Sequence, residues 1–368
     1  MMAKVSTSLY KFAKKMRASG KHNTRNTIMS KIVTMGEIML RLSTPGNSRI
    51  VQSDSLCVNY GGGEANVAVS LANYGHEAYF LSRVPAHEVG TAAVNSLRKY
   101  GVHTEFMARG GERLGIYFLE TGASMRPSKV IYDRAHSSMS EAQASDFDFD
   151  NIFHDADWFH WSGITPALGN QAASVLKAAC QSAKQAGVTV SCDLNFRSKL
   201  WTSEEAIRTM TPLMEYVDVC IGNEEDAEKT LGVKNTADIA AGKTDAECYR
   251  HTFCELHRRF DFSVVASTLR ESMSASHNGW KAMLYDGTQF YLSKHYDISP
   301  IVDRVGAGDS FSAGLIHGLC SGWQPAQALE FAVAASALKH TIPGDVNLMS
   351  EAEVMALTQG NANGRVQR

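Results

Sequence analysis

The chain has almost no net charge and no long apolar segment. Its 36 Lys and Arg residues nearly balance 38 Asp and Glu residues, which leaves a formal net charge of −2. This balance argues against nucleic acid or an anionic membrane as a partner, because both select strongly basic proteins. No apolar run approaches the roughly 18 residues that a transmembrane helix needs, so we expect no membrane partner.

Cysteine is sparse and shows no pairing pattern. The seven cysteines are odd in number and scattered, without a Cys-x-x-Cys pair. This distribution argues against a disulfide framework or a cysteine zinc site and indicates reduced thiols in a cytosolic protein. The 13 histidines show no metal-ligand spacing, so we expect an isolated one such as His160 to be packed or on the surface.

Acidic residues are missing from positions 1–30, which carry seven Lys or Arg residues. The segment has no apolar stretch of signal-peptide length, and a basic leader of this kind is typical of organellar import. A second methionine, Met29, directly precedes the first predicted strand, so an upstream or misassigned start explains the segment at least as well. We expect residues 1–30 to be a disordered basic leader outside the fold.

One stretch near the C-terminus combines two carboxylates with a run of small residues. Asp303 precedes and Asp309 follows Gly306-Ala307-Gly308, and an apolar helical pattern at 311–319 comes directly after. Small residues leave the backbone accessible, and a helix N-terminus attracts anions, so these amides can bind a phosphate. Asp309 would then accept the proton of an attacking hydroxyl while the amides stabilise a transferring phosphoryl group.

A tight turn with Asp309 as a helix N-cap is the plainer interpretation of this stretch. It does not explain the second carboxylate or the small residues Ala313 and Gly314 in the helix. Other phosphate loops fit less well, because no Lys-Ser/Thr pair follows the glycines and Phe311 replaces the third glycine of the dinucleotide pattern. The stretch resembles the C-terminal motif of the ribokinase-like (PfkB) sugar kinases, which usually have Thr in place of Arg304.

A second glycine run, Gly61-Gly62-Gly63, opens another predicted helix. Gly36 ends the first predicted strand, and glycine at the carboxyl end of a strand lets a ligand approach the backbone. The family resemblance implies that these glycines contact the sugar and that the run is the hinge of a lid. Asn66 fits the family pattern and Glu64 departs from it. A glycine-rich turn with Asn66 as a local cap is the alternative.

Two stretches, at about 38–60 and 102–134, interrupt the α/β order with alternating residues. They predict about four strands, the first two forming a hairpin through Pro45-Gly46-Asn47. A small sheet of this kind suits a lid, which excludes water from a phosphoryl-transfer site. An exposed sheet edge or apolar face is a liability, so we expect the lid to pair in a homo-oligomer.

Tyr132 and Arg134 share a face of the last lid strand, and arginine binds carboxylates through paired N–H groups. This Tyr-x-Arg resembles the 2-keto-3-deoxygluconate kinases of the family, whose substrate is an acid, and Tyr117 matches another of their substrate-facing tyrosines. Cross-strand stabilisation is an equal alternative. If Arg134 binds the acid, Arg134→Leu weakens an acid substrate severely and a neutral sugar little.

Polar residues follow a buried strand predicted at 188–194. The carboxyl ends of parallel strands are where open α/β sheets bind ligands. The resemblance implies that Asp193 and Asn195 lie near the phosphate donor and metal and that Arg197 approaches the acid substrate or the transferring phosphate. It also implies that Ile164 lines the sugar pocket.

The donor side departs from the family pattern in two places. The family's Asn-x-x-Glu motif, which orders water around Mg²⁺, is matched by Asn223 and the shorter Asp226. We expect Asp303 to be a further metal ligand, acting indirectly through water. The alternative is that acids at a helix N-terminus are favoured by the helix dipole alone. Thr268 and Arg270 replace a glycine-rich nucleotide segment, and Arg270 is either a phosphate contact or a surface charge. Asn278-Gly279 and Asp286-Gly287 predict two hairpin turns.

These features predict a ribokinase-like α/β fold, with a mostly parallel central sheet flanked by helices and a small β-sheet lid. The kinase domain is expected at 31–347 and a C-terminal helix and tail at 348–368. The resemblance implies a cytoplasmic enzyme that uses ATP and Mg²⁺ to phosphorylate the terminal hydroxyl of 2-keto-3-deoxygluconate, a sugar acid. A kinase for a neutral sugar or nucleoside and a non-catalytic sugar or nucleotide sensor are the alternatives.

Overall fold

The computed structural model of the protein describes residues 21–22, 28–234 and 246–360. Most of the predicted leader lies outside these ranges, as do residues 361–368 of the predicted tail. Within them, no helix is long and apolar enough to cross a membrane. Among the cysteines whose side chains are described, Cys57, Cys180, Cys192, Cys220, Cys254 and Cys320 are free thiols.

The described strands form a central sheet, a lid sheet and two short ladders. The central sheet contains β1 (Lys31–Met35), β4 (Glu77–Leu81), β7 (Trp158–Ser162), β8 (Thr189–Asp193), β9 (Val219–Ile221), β10 (Val264–Ser274), β11 (His277–Tyr285), β12 (Phe290–Leu292) and β13 (Tyr296–Ile298). The lid contains β2 (Met39–Ser43), β3 (Cys57–Gly61), β5 (Gly115–Glu120) and β6 (Lys129–Asp133). The ladders pair Lys21–His22 with Ile28–Met29 and Arg83–Val84 with Ala108–Arg109.

Helices connect these strands. The α-helices are α1 (Gly63–Asn73), α2 (Glu88–Arg98), α3 (Phe149–Phe153), α4 (Ile164–Ala167), α5 (Asn170–Gln185), α6 (Ser203–Met210), α7 (Glu224–Leu231), α8 (Ala246–Phe260), α9 (Ala307–Cys320), α10 (Pro325–Lys339) and α11 (Glu351–Thr358). Short 3₁₀ helices lie at Ile50–Gln52, Ala144–Asp146 and Thr211–Tyr216.

The central sheet is mostly parallel, as predicted. Its order is β12-β11-β10-β9-β8-β7-β1-β4, with β13 also paired to β11, and the pairs from β10 to β4 are all parallel. Ile32 packs into a core with α1, α9 and α10, whereas its neighbour Val33 packs into a second core with α5, α6 and α8. Both faces are therefore covered, which explains why these strands are continuously apolar.

The lid has the predicted four strands, in the order β6-β5-β2-β3. Its boundaries are narrower than predicted, since the second part begins at Gly115 rather than 102. Val102 and Met107 are buried in the main core, so residues 102–114 belong to the body of the domain. The hairpin partner of β2 begins only at Cys57, because a 3₁₀ turn occupies Ile50–Gln52.

One predicted hairpin turn is wrong. Asn278 and Gly279 lie inside β11, in register with Ser272 and Glu271 of β10. Asn278 also pairs with Ile298 of β13 and is 1% exposed. Pairing on both sides has overridden the local turn preference of Asn-Gly. The other predicted turn, Asp286-Gly287, does connect two antiparallel strands, with Gly287 at a φ of 85°.

Candidate active site

A cavity of about 720 Å³ lies between the carboxyl ends of the central strands, the N-terminus of α9 and the inner face of the lid. The carboxyl ends of β7, β8 and β9 meet here because the strands are parallel. All the predicted site residues except Gly36, Gly61 and Asp303 line it. Those that line it are Gly62, Gly63, Asn66, Tyr117, Tyr132, Arg134, Ile164, Asp193, Asn195, Arg197, Asn223, Asp226, Thr268, Arg270, Gly306, Ala307, Gly308 and Asp309.

The two glycine-containing motifs meet at Asp309. Helix α9 begins at Ala307, so Asp309 lies in its first turn and is not the N-cap, which is Gly306. The side-chain amide of Asn66, on α1, donates to Asp309 Oδ2 at 2.6 Å. An added Cβ on Gly63 would lie 3.6 Å from Asp309 Oδ1, so a group bound against the first glycine run would contact this carboxylate.

Asp309 is partly exposed at the cavity, and burial by the surrounding protein raises its pKa to about 6. The hydrogen bond from Asn66 and the charge of Arg197 oppose this rise. A carboxylate with a pKa closer to neutrality is a stronger base than a free aspartate. It is still largely ionised at pH 7, as a proton acceptor must be.

The N-terminus of α9 offers free amides beside this carboxylate. The amides of Gly308 and Asp309 have no acceptor among the described residues, whereas the amide of Ala307 donates to Arg304 O at 3.3 Å. A Cβ placed on Gly308 would meet nothing within 4 Å. An anion can therefore approach the amides of Gly308 and Asp309. The amide of Ala307, which we predicted as another donor, contributes less to anion binding because it is already engaged.

Arg134 has a partner that the sequence did not reveal. Its Nε donates to Glu37 Oε2 at 2.9 Å, and its Nη2 forms a salt bridge to the same oxygen. The guanidinium also lies over the ring of Tyr132, 5.4 Å from the centroid. Glu37 is 4% exposed, so the positive charge of Arg134 is already compensated before any ligand binds.

Arg197 is the less constrained arginine. It is exposed, its Nη1 donates to Phe196 O at 3.2 Å, and it forms no salt bridge with any described carboxylate. Its charge nevertheless lowers the pKa of Asp309, against the larger effect of burial. Arg197 is therefore positioned to bind an anionic ligand next to Asp309.

Several carboxylates lie at the ends of β8 and β9. Burial raises the pKa of Asp193 well above its ordinary value, with further contributions from the charges of Asp226 and Asp309. Asp226 is engaged by the backbone, accepting from Phe196 N at 2.9 Å and from Asn223 N at 3.2 Å in a capping box. Asp226 therefore also helps to cap the N-terminus of α7.

These carboxylates fit a hydrated divalent cation. No group of three or more His, Cys, Asp or Glu side chains in the described ranges is arranged to enclose a metal ion. Mg²⁺ keeps several waters and is usually bound by one or two carboxylates together with substrate phosphates. Asp193 and Asn195 supply suitable oxygens, and a cation here would offset the repulsion that raises the pKa of Asp193.

Asp303, Gly36 and Gly61 do not reach the cavity. The carboxylate of Asp303 is buried and forms a salt bridge with Arg41 at 2.6 Å. An added Cβ on Gly36 would lie 2.1 Å from Glu64 Oε2, and one on Gly61 would lie 2.6 Å from Asp345 Cγ. These three residues lie in the packing behind the cavity and are not among those that line it.

A cationic wall faces the other side of the cavity. Arg270 of β10 is exposed there and lies opposite Trp280 in the ladder. Arg304 donates its Nε to Ala275 O at 3.0 Å. Burial lowers the pKa of Arg304, and the charge of Arg270 adds to this effect. An anion bound between the two guanidinium groups would relieve their repulsion.

Sequence reasoning missed the polar residues that support the site. Glu64 Oε1 accepts hydrogen bonds from Ser162 N at 2.9 Å, Ser162 Oγ at 2.6 Å and Thr165 Oγ1 at 3.1 Å, and it ties α1 to β7 and α4. Burial raises the pKa of Glu64 to about 7. Asp345, which lines the cavity, and Arg41 were also missed. Arg41 lies two residues after Met39 on β2, so the two side chains share one face of the strand. This spacing was a usable signal that Arg41 points inward.

Comparisons with known proteins show which family this chain resembles. Residues 29–352 match the model of the pfkB family carbohydrate kinases. The chain is 33% identical over 335 residues to the 2-dehydro-3-deoxygalactonokinase of Haloferax volcanii, in an alignment covering 91% of this chain and 98% of that protein. The crystal structure of the 2-dehydro-3-deoxygluconokinase of Thermotoga maritima is 52% identical, with a TM-score of 0.87 over 90% of this chain and 100% of that one.

Proposed function

The chain belongs to the pfkB family of carbohydrate kinases, and we propose that it transfers the γ-phosphate of ATP to the terminal hydroxyl of 2-keto-3-deoxygluconate, also called 2-dehydro-3-deoxygluconate. The observation that carries this proposal is that Asp309, the free amides at the start of α9 and the exposed Arg197 line the same cavity. A base, an anion site and a cation for an acid substrate thus share one cavity. The names of the similar kinases from Haloferax volcanii and Thermotoga maritima support a 2-keto-3-deoxy sugar acid.

In this proposal, Asp309 accepts the proton of the attacking hydroxyl. The amides of Gly308 and Asp309 stabilise the charge of the transferring phosphoryl group. Arg270 and Arg304 bind the remaining phosphates of the nucleotide, as their position on the opposite wall allows. Asp193 and Asn195 would hold Mg²⁺ through water, and the ion when bound neutralises phosphate charge. The lid excludes water from the site.

The test of this function is a coupled ADP-release assay with a panel of acceptors. The panel contains 2-keto-3-deoxygluconate, its galactonate epimer, fructose, ribose and a nucleoside. We expect the highest kcat/KM with one of the two sugar acids. A clear preference for a neutral sugar or nucleoside would overturn the assignment of the substrate.

Arg197 is the residue we propose for the substrate carboxylate, and Arg134 has a supporting role. Hydrogen bonds to charged groups contribute about 1.5–3 kcal/mol, so Arg197→Leu should raise the KM for the sugar acid by roughly 10–100-fold. Turnover of a poor neutral substrate should change little. Steady-state kinetics with both substrates checks this.

The matched control is Arg134→Leu, which leaves Glu37 buried without its partner. We expect this variant to lose thermal stability and to impair acid and neutral substrates alike, because an unpaired buried charge disturbs the site as a whole. Selective loss of the acid substrate in Arg134→Leu, with Arg197→Leu unaffected, would reverse the two roles.

We also propose that the lid forms the interface of a homodimer. On its outer face, Ile131, Phe118, Leu42 and Val58 form one row across all four strands. Ile131 is 42% exposed and Val58 is 59% exposed, and an apolar row of this kind is a liability in a monomer. Sedimentation of the wild type and of Leu42→Asp should show a dimer and a monomer; a monomeric wild type would contradict the proposal.

A further inference from the structure

A buried group of charged side chains lies behind the loop that precedes α9. Arg41 Nη2 is 2.6 Å from Asp303 Oδ2, and Arg41 Nη1 is 3.0 Å from Asp345 Oδ2. All three side chains are less than a tenth exposed. Lys339 is fully buried nearby, where its Nζ donates to Ile342 O at 3.3 Å. Two cations and two carboxylates are thus enclosed together, and we call them the buried charge cluster.

The buried charge cluster holds the backbone of this loop. Asp303 Oδ1 accepts from Val305 N at 3.0 Å, and Asp303 Oδ2 accepts from Gly344 N at 3.1 Å. The carbonyl oxygen of Asp345 is so close to Gly306 that an added Cβ would lie 1.8 Å from it. Arg41 is therefore bonded to both segments that enclose the loop leading to Asp309.

Arg41 comes from the lid, whereas its partners belong to the body of the domain. It lies on β2, directly opposite Tyr117 of β5 in the ladder. The hydroxyl of Tyr117 also donates to Asp345. Two neighbouring lid strands thus contact the same carboxylate. Buried ion pairs are weak contributors to stability on their own, so the location of this cluster calls for another explanation.

We propose that Arg41 is a positioning residue of the kinase reaction, which aligns the Gly306–Gly308 loop and Asp309 through Asp303 and Asp345 when the lid rests on the body of the domain. This inference rests on the proposed phosphoryl transfer and adds a residue to it. A displacement of about 1 Å in a reacting group can cost on the order of 10²-fold in rate. The alignment of the loop for reaction is thereby coupled to the position of the lid.

The test compares Arg41→Met and Arg41→Lys with a matched lid arginine. Arg126 forms an ion pair with Glu120 at 3.1 Å, but its side chain is 34% exposed, so Arg126→Met should have kcat close to that of the wild type. Arg41→Met should lower kcat about 10²-fold, with the sugar KM changed less than about threefold. Arg41→Lys should recover activity in part, because it restores the charge without the paired geometry.

A double-mutant cycle separates positioning from general damage. If Arg41 acts through Asp345, Arg41→Met combined with Asp345→Asn should lower kcat about as much as the worse single change. The proposal would be overturned if the loss of kcat in the double variant equalled the product of the losses in the two single variants. If Arg41→Met does not fold, the same double-mutant cycle with Asp345→Asn can be measured with Arg41→Lys or with Tyr117→Phe in its place.

The pH profile supplies a readout that a purely structural role would not move. Burial has the largest effect and raises the pKa of Asp309; the charge of Asp345 adds to this rise, whereas the charge of Lys339 opposes it. Asp345→Asn should therefore move the acid limb of kcat to lower pH, and Lys339→Met should move it to higher pH. The groups that face or interact with Asp309 are Asn66, Arg197, Lys339, Asp345, Glu64 and Asp193.

The outcomes distinguish this inference from the proposed function. All variants are assayed with the sugar that the wild type phosphorylates best. An inactive wild type would remove the proposed function and this inference together. An active wild type with normal kcat in Arg41→Met, or an unmoved acid limb in Asp345→Asn, would overturn this inference alone.

Discussion

Asp309→Asn is expected to lower kcat at least ~10²-fold, the lower range for loss of a positioned proton acceptor. The substitution keeps the size of the side chain and its contact with Asn66, so the sugar KM should stay within about threefold of the wild type. Steady-state kinetics with saturating ATP measures both constants. Asparagine cannot accept the proton of the sugar hydroxyl, which is the physical reason for the loss.

A control for this variant is available at the other end of the sheet. Asp218 bonds to Lys184 at 2.7 Å and accepts from Val190 N at 2.8 Å, near the amino ends of the strands. Asp218→Asn should lower stability and leave kcat nearly unchanged. Turnover close to normal in Asp309→Asn would remove Asp309 from its role.

The same substitution should raise thermal stability. Burial raises the pKa of Asp309 from 3.8 to about 6, so the folded protein binds this proton more tightly than the unfolded chain. The stabilisation is fully present below the unfolded pKa and is lost as pH rises through about 6. Asparagine never ionises, so the Tm of Asp309→Asn at pH 7 should exceed that of the wild type, while at pH 4 the difference should shrink.

Two glycines of the same loop should fail in different ways when changed to alanine. Gly306 has a φ of 83°, and an added Cβ would lie 1.8 Å from the carbonyl oxygen of Asp345. No rotation of a side chain can relieve a clash with backbone, so Gly306→Ala should lose both stability and nearly all activity. In Gly308→Ala the added methyl meets no protein atom within 4 Å and projects into open space.

Gly308→Ala should therefore keep the Tm of the wild type and lose activity because the methyl obstructs the phosphate. We expect kcat/KM for ATP to fall by at least about 10-fold, less than the ~10²–10³ that the loss of an anion-site donor costs, because alanine keeps the backbone amide. Calorimetry and kinetics on the two variants measure the difference. A stable and fully active Gly306→Ala, or a Gly308→Ala that binds ATP normally, would contradict this account of the loop.

The local signals of the sequence were sufficient for most of the fold. Continuous apolar runs predicted the parallel strands, and alternation predicted the four strands of the lid. The error at Asn278-Gly279 arose because β13 pairs with the same residues from a distant part of the chain. A turn preference of this kind depends only on adjacent residues, so it does not include pairing with a strand about 20 residues later in the chain.

The candidate site was predictable where short motifs carry the chemistry. Asp309 and the glycine run at 61–63 were singled out from their motifs, and Asp309 lines the same cavity as Gly62 and Gly63. The sequence could not show that Arg134 and Asp303, which we assigned to ligands, each have a buried partner, because those partners are far away in the chain. Glu37 lies 97 residues from Arg134, and Arg41 lies 262 residues from Asp303.

By itself, the sequence determined the order of strands and helices, the lid and the residues that we propose for phosphoryl transfer, because periodicity and small-residue motifs are properties of neighbouring positions. Only the tertiary structure decided which charges are free to meet a ligand. Arg134 lines the cavity but is paired with Glu37, and Asp303 is paired with Arg41 behind the cavity, whereas Arg197 and Asp309 line the cavity without such a salt bridge. The physical reason is that the pairing of charges depends on distance in space, and folding brings together residues that no local pattern relates.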